Sequence, residues 1–188
     1  TLTAWADYLL YNGLDPANQL CTDDFAGHLA HNANLSIKAI LGVASYGYLA
    51  GKLGYKEQSE SYIQKAKEMA LEWVKMADDG DHYKLAFDKP GTWSQKYNLV
   101  WDKLMDWHIF PDKVRQTEIP YYLSVQNKYG LPLDNRETYT KTDWIMWTAT
   151  LASDMETFEK FVDPVYLFMT TTPDRVPMTD WMYTDRPE

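Results

Sequence analysis

The sequence has one cysteine, Cys21, so no internal disulfide framework can hold the chain together. That count fixes no redox compartment, because many exported proteins also lack disulfides. No run approaches the ~18 consecutive apolar residues that a membrane-spanning helix needs. Basic residues are in deficit: 18 Lys and Arg face 27 Asp and Glu, for a net charge of −9. A general basic surface for nucleic acid or an anionic membrane is therefore not expected. There is no G-x-G-x-x-G, no P-loop and no G-x-S-x-G, so neither a nucleotide cofactor nor a nucleophile elbow is expected. Thr1 opens directly into Leu-Thr-Ala-Trp-Ala without a visible signal peptide. The chain reads as a piece of a longer protein, with any targeting signal outside it.

What is abundant is aromatic: 8 Trp and 14 Tyr among 188 residues. Such side chains join an apolar face to a hydrogen-bonding edge and line both cores and small-molecule pockets. A chain of this length buries roughly 70% of its unfolded surface, enough for one domain without staples.

Apolar spacing is helical almost throughout. It predicts helices over 3–12, 34–53, 56–77, 94–107, 111–127, 142–152 and 155–169. Asn34 is the expected cap of the second, which is apolar nearly all round and so reads as buried. In the third, Tyr62, Ala66, Met69, Ala70, Trp73, Val74 and Ala77 share one face. Asp78-Asp79-Gly80-Asp81 lacks the rest of a calcium loop and reads as a solvated turn. Residues 82–87 read as a short extended piece, and Pro120 is expected to kink its helix. The links alternate: short at 53–56, 107–111 and 152–155, long at 13–33, 80–93, 128–141 and 170–188. That alternation predicts an all-α fold of helical hairpins forming part of an (α/α)6 toroid. Helices entered from long loops form its inner layer and the others its outer layer, with all the long loops on one rim.

The rim would gather Asp23, Asp24, His28, Trp93, Asp134, Arg136, Tyr139, Asp143, Arg175 and Asp180. Hydrolysis of an amide or a glycoside needs a base or nucleophile, an acid and donors for a developing anion. Asp24, Asp134, Asp143 and Asp180 are the candidate acids and bases. Arg136 and Arg175 can clamp a substrate carboxylate bidentately, and Tyr139 and Lys141 can donate to an oxyanion. Trp93 and Trp144 are candidate substrate-binding faces. Duller readings stand beside these. Asp143 can simply stabilise a helix N-terminus, Arg136 can pair with Asp134 or Glu137, and Asp23 and Asp24 can cap a turn. Thr140 or Thr142 is the expected cap of the 142–152 helix. His28 and His31, with Asp23 or Asp24, could hold a metal. Backbone-satisfied histidines are commoner, and no metal or other cofactor is expected. The sequon Asn34-Leu35-Ser36 opens the most buried helix and is expected to go unused.

The stretches CTDDFAGHLAHNANLSIKAI, TWSQKYNLVWDKL, NKYGLPLDNRETYTKTDWIMW and TPDRVPMTDW resemble the C-terminal helical region of the glutaminase A-like proteins, secreted enzymes of fungi with relatives in Bacteroides-type bacteria. The resemblance runs from about Leu20 to Tyr183. It implies an all-helical toroid, preceded in the full protein by a β-rich domain, and a periplasmic or secreted location. It also implies hydrolysis of L-glutamine to glutamate and ammonia. A carbohydrate-active toroid, with stacked aromatics and two Asp residues as acid and base, is the first alternative. A non-catalytic binding module is the second. Three helix pairs and one further helix leave the inner layer partly uncovered. The remainder of the polypeptide, or a second copy, is the expected cover.

Overall fold

The computed structural model describes residues 1–17, 26–173 and 179–188. Among them lie seven α-helices: α1 (Leu2–Asn12), α2 (Ala33–Lys52), α3 (Lys56–Ala77), α4 (Val100–Leu104), α5 (Asp112–Val125), α6 (Thr142–Ala149) and α7 (Met155–Thr171). A 3-10 turn, Tyr97–Leu99, leads into α4. Two short strands, β1 (Tyr139–Lys141) and β2 (Trp181–Tyr183), pair antiparallel, with Thr140 opposite Met182.

The core centres on α2 and α3. α2 buries a broad face, including Ala33, Ile37, Ile40, Val43 and Ala44, and leaves exposed only a strip with Lys38 and Leu49 and its last two residues. α3 is amphipathic and buries Tyr62, Ala66, Met69, Ala70, Trp73 and Ala77, the predicted stripe apart from half-buried Val74. The two helices approach closely at Gly47, where a Cβ would stand 2.9 Å from Ile63 Cγ1 and 3.1 Å from the Ser59 carbonyl oxygen. Trp73 is fully buried, and its indole N–H donates to the Ala33 carbonyl at 2.8 Å. It meets Tyr83 and Phe110 ring to ring.

Three local predictions need correction. The cap of α2 is Asn32, not Asn34: its side chain accepts the Leu35 N–H at 2.9 Å. Asn34 instead lies buried inside the first turn and bonds Asn98, so the sequon side chain is not at the surface. Neither Thr140 nor Thr142 caps α6. Its N-cap is Lys141, with no side-chain cap bond, while Thr140 is buried. The predicted helix over 94–107 shrinks to the 3-10 turn and α4. The buried side chains of Gln95 and Lys96 instead bond groups far along the chain, among them the Leu131 and Tyr83 carbonyls.

The helix pairs are closed by specific polar contacts. Between α4 and α5 the Asp102 carboxylate accepts the Ile109 and Phe110 N–H groups at 2.9 and 3.0 Å, pinning the short link. Pro164 lies inside α7 without ending it. Its missing N–H leaves the Lys160 carbonyl without a helical partner. Gln126, the C-cap of α5, supplies the substitute through Nε2 at 2.8 Å. Pro120 is likewise inside α5, which runs unbroken to Val125.

Candidate active site

The site is built from one short segment. Trp93, Ser94, Gln95, Lys96 and Tyr97 are all buried. Gln95 N–H donates to the Leu133 carbonyl at 2.8 Å, and Trp93 N–H to Asn135 Oδ1 at 3.0 Å. Asn135 N–H returns a bond to the Trp93 carbonyl at 3.2 Å. The Gln95 amide points into the loop. Nε2 reaches the Leu131 and Pro132 carbonyls and Thr140 Oγ1, all at 3.0 Å, and Oε1 accepts from Thr148 at 2.9 Å. One buried amide thereby orders the loop, β1 and α6 together. Gly130 makes the loop's entry possible. Its φ is +144°, and a Cβ there would meet Ile145 Cδ1 at 2.8 Å.

On this frame the loop presents Asp134. It is buried and held by Arg136 in a fork: Nε to Oδ1 at 2.9 Å and Nη2 to Oδ2 at 2.6 Å. The Arg136 backbone N–H adds a bond to Oδ1 at 2.9 Å, and Nη1 reaches the Ala26 carbonyl at 3.1 Å. A paired, buried carboxylate of this kind is an orienting group, since its lone pairs are committed. Arg136 is turned inward on Asp134 rather than outward as a clamp.

β1 then alternates its side chains. Thr140 points into the core, while Tyr139 and Lys141 share the other face. Tyr139 packs against Trp181 and Tyr183 of β2, with ring centroids 5.8 and 6.4 Å away. Burial pushes its hydroxyl above the usual tyrosine range. Lys141 Nζ lies 2.9 Å from Asp180 Oδ2 and 5.1 Å above the Trp144 ring. Trp144 in turn stacks on Tyr97 at 4.7 Å, with the rings 2° from parallel. Asp143 is exposed in the first turn of α6, and Oδ1 accepts the Trp144 N–H at 2.9 Å. Trp147 continues the aromatic run to Trp101, which is 44% exposed.

The structure thus brings Asp134 and Arg136 together, and Lys141, Trp144 and Asp180 together, with Asp143 next to Trp144 in the chain. Trp93 is placed apart, buried near the rings of Tyr121 and Tyr122 as a wall of the core. Asp24 and Arg175, with Asp23 and Cys21, lie outside the described residues. Of the two histidines, His31 Nδ1 is bonded to Asp15 Oδ1 at 2.7 Å, and His28 is exposed. Asp79 of the acidic run accepts the Gly91 N–H at 2.6 Å, closing a turn. Sequence reasoning missed Gln95, Lys96 and Tyr97. The available signal was two long polar side chains in a stretch otherwise set for burial.

The chain matches over residues 1–188 the family described as the Glutaminase A six helical-hairpin domain. It is 32% identical to a protein named Glutaminase A from Aspergillus oryzae, over 95% of this chain and 26% of that protein. It is also 32% identical to a probable glutaminase from Arthroderma benhamiae, over 79% of this chain and 21% of that one. The chain therefore spans about a quarter of the length of these curated relatives. With the helix pairs described above, the match shows that the chain belongs to the glutaminase A-like family, as part of its all-α, six-hairpin toroid.

Proposed function

We propose that this chain supplies part of the substrate rim of a glutaminase-like amidohydrolase, converting L-glutamine and water to L-glutamate and ammonia. The observation that carries the reading is the β1–α6 junction. Lys141, the exposed Asp143 and Trp144 stand within four residues there, beside Tyr139, on a chain whose relatives bear the glutaminase name. Asp143 is the base: it takes a proton from water as the water oxygen bonds to the amide carbon. Tyr139 donates to the oxyanion that forms. The proton then passes from Asp143 to the departing nitrogen, the carbon–nitrogen bond breaks, and ammonia leaves. Lys141 reads the substrate α-carboxylate. Lys141 is 23% exposed and its partner Asp180 74%, so it is the Asp180 carboxylate, the solvated half of the pair, that a substrate carboxylate would replace. The Asp134–Arg136 fork supports the loop and takes no proton. The family resemblance adds export to the periplasm or the medium.

The test is ammonia release from L-glutamine by the full-length protein that contains this chain. Asp143→Asn is expected to lower kcat by about 10²–10⁴-fold, the usual contribution of a positioned base. Lys141→Met is expected to raise KM and leave kcat nearly unchanged. A folded Asp143→Asn variant with wild-type turnover would remove Asp143 from the chemistry.

The exposed Trp101 and the Trp147 edge favour a second reading, a carbohydrate-active rim in which aromatic faces stack on sugars. Sugar release from a glycoside panel, with no ammonia from glutamine, selects it. Silence on both substrates leaves a binding module.

A further inference from the structure

Beneath the candidate site lies a charged pair that the proposed chemistry does not use. Lys96 and Glu118 are each 0% exposed, and Nζ stands 3.1 Å from Glu118 Oε1. Nζ also donates to the Tyr83 and Ser94 carbonyls, both at 2.9 Å. Tyr122, likewise fully buried, donates its hydroxyl to the same Ser94 carbonyl and accepts the Lys96 N–H, again both at 2.9 Å. The Glu118 carboxylate has no well-aligned hydrogen bond among the described residues. Its charge is therefore compensated by Lys96. Desolvation pushes the Lys96 ammonium down and the Glu118 carboxyl up, each toward its neutral form, and each opposes that push in the other.

Such a pair is a poor source of stability, because well-packed apolar residues of similar volume do as well or better. What apolar residues cannot supply is direction. Lys96 and Tyr122 fix the Ser94 carbonyl from two sides. Ser94 is bridged to Asp134, and its neighbours Trp93 and Gln95 hold Asn135 and Leu133. From Glu118 on α5 the polar contacts run through Lys96 to the Ser94 carbonyl, and the backbone bonds of Trp93 and Gln95 to Asn135 and Leu133 join that segment to the stretch carrying the Asp134–Arg136 fork.

We propose that Lys96, Glu118 and Tyr122 are positioning residues for the rim: together they set where the loop carrying Asp134 and Arg136 sits against the 93–97 segment. Their effect on turnover rests on the amide-hydrolysis reading above. Their effect on the loop does not.

Hydrogen exchange on the full-length protein separates the two. Lys96→Met/Glu118→Leu removes both charges and keeps the volume. Exchange in the peptides covering 93–96 and 131–136 is expected to rise about tenfold, while α2 and α3 stay within about twofold of wild type. Tyr122→Phe deletes only the hydroxyl and decides the matter if the double variant does not fold. It is expected to raise exchange in the same two peptides by a smaller factor. Unchanged exchange there in a folded variant overturns the proposal. So does a rise shared equally by α2 and α3, because the group would then serve general stability. Where wild type hydrolyses glutamine, kcat in the double variant should fall about tenfold or more as the loop loosens. Where wild type releases no ammonia, the glutaminase reading fails and the exchange result still judges the positioning role.

Discussion

His31 shows how a residue read as chemical can be architectural. It adopts φ of +61°, and its backbone carbonyl accepts the Phe87 N–H at 2.9 Å. Its ring is bonded to Asp15, and that hydrogen bond, with the negative charge of Asp15 and then Asp88, raises its pKa above the ordinary histidine value. A folded-state pKa above the unfolded one gives stability that is fully present below the unfolded value of ~6.5. That stability fades as pH rises through the folded value. An NMR titration should place His31 above the free histidine midpoint, and Asp15→Asn should bring it down. The same midpoint in both proteins would mean that the bond does not form in solution. At this scale the sequence exposes chemical capability and hides commitment. Arg136 was legible both as a substrate clamp and as a partner of Asp134 or Glu137, and the fork on Asp134, closed only in three dimensions, selects the second reading and the first of those partners.

The elements were legible where one face of the chain dictates burial. α2 and α3 fall within a residue or so of their predicted bounds, because hydrophobic periodicity alone decides them. The 94–107 stretch failed for the opposite reason. Gln95 and Lys96 answer to acceptors far away in sequence, such as the Leu131 carbonyl and Glu118, and those acceptors override the local helical pattern. Pro164 offers a quantitative test of such long-range compensation. Gln126→Leu should cost about 1 kcal/mol, the usual net value of one intramolecular hydrogen bond. In a Pro164→Ala background, where the helix regains its own N–H, the same change should cost much less. Equal losses of Tm in both backgrounds would show that the Gln126 bond to Lys160 does not stand in for the missing helical one.

At the scale of the whole molecule, three helix pairs and α1 leave apolar side chains outside. Leu49 and Leu53 on and after α2, Trp101 and Leu104 on α4, and Trp5, Tyr8 and Tyr11 on α1 are all exposed. The family is named for six hairpins, and the chain spans 26% and 21% of its two relatives. These faces are therefore expected to pack against further hairpins of the same polypeptide. The isolated chain should then self-associate in light scattering and the full-length protein should not, whereas a monodisperse isolated monomer would argue against this cover. β1 and β2 pair Tyr139 with Tyr183, so the backbone leaves for α6 and α7 and returns to its point of departure. A protease that severs the link between those two helices opens a ring rather than cutting a thread. Both fragments stay fastened through the ladder and through the packing of α6 on α7, so a cleaved molecule keeps its shape and reveals the break only once denatured.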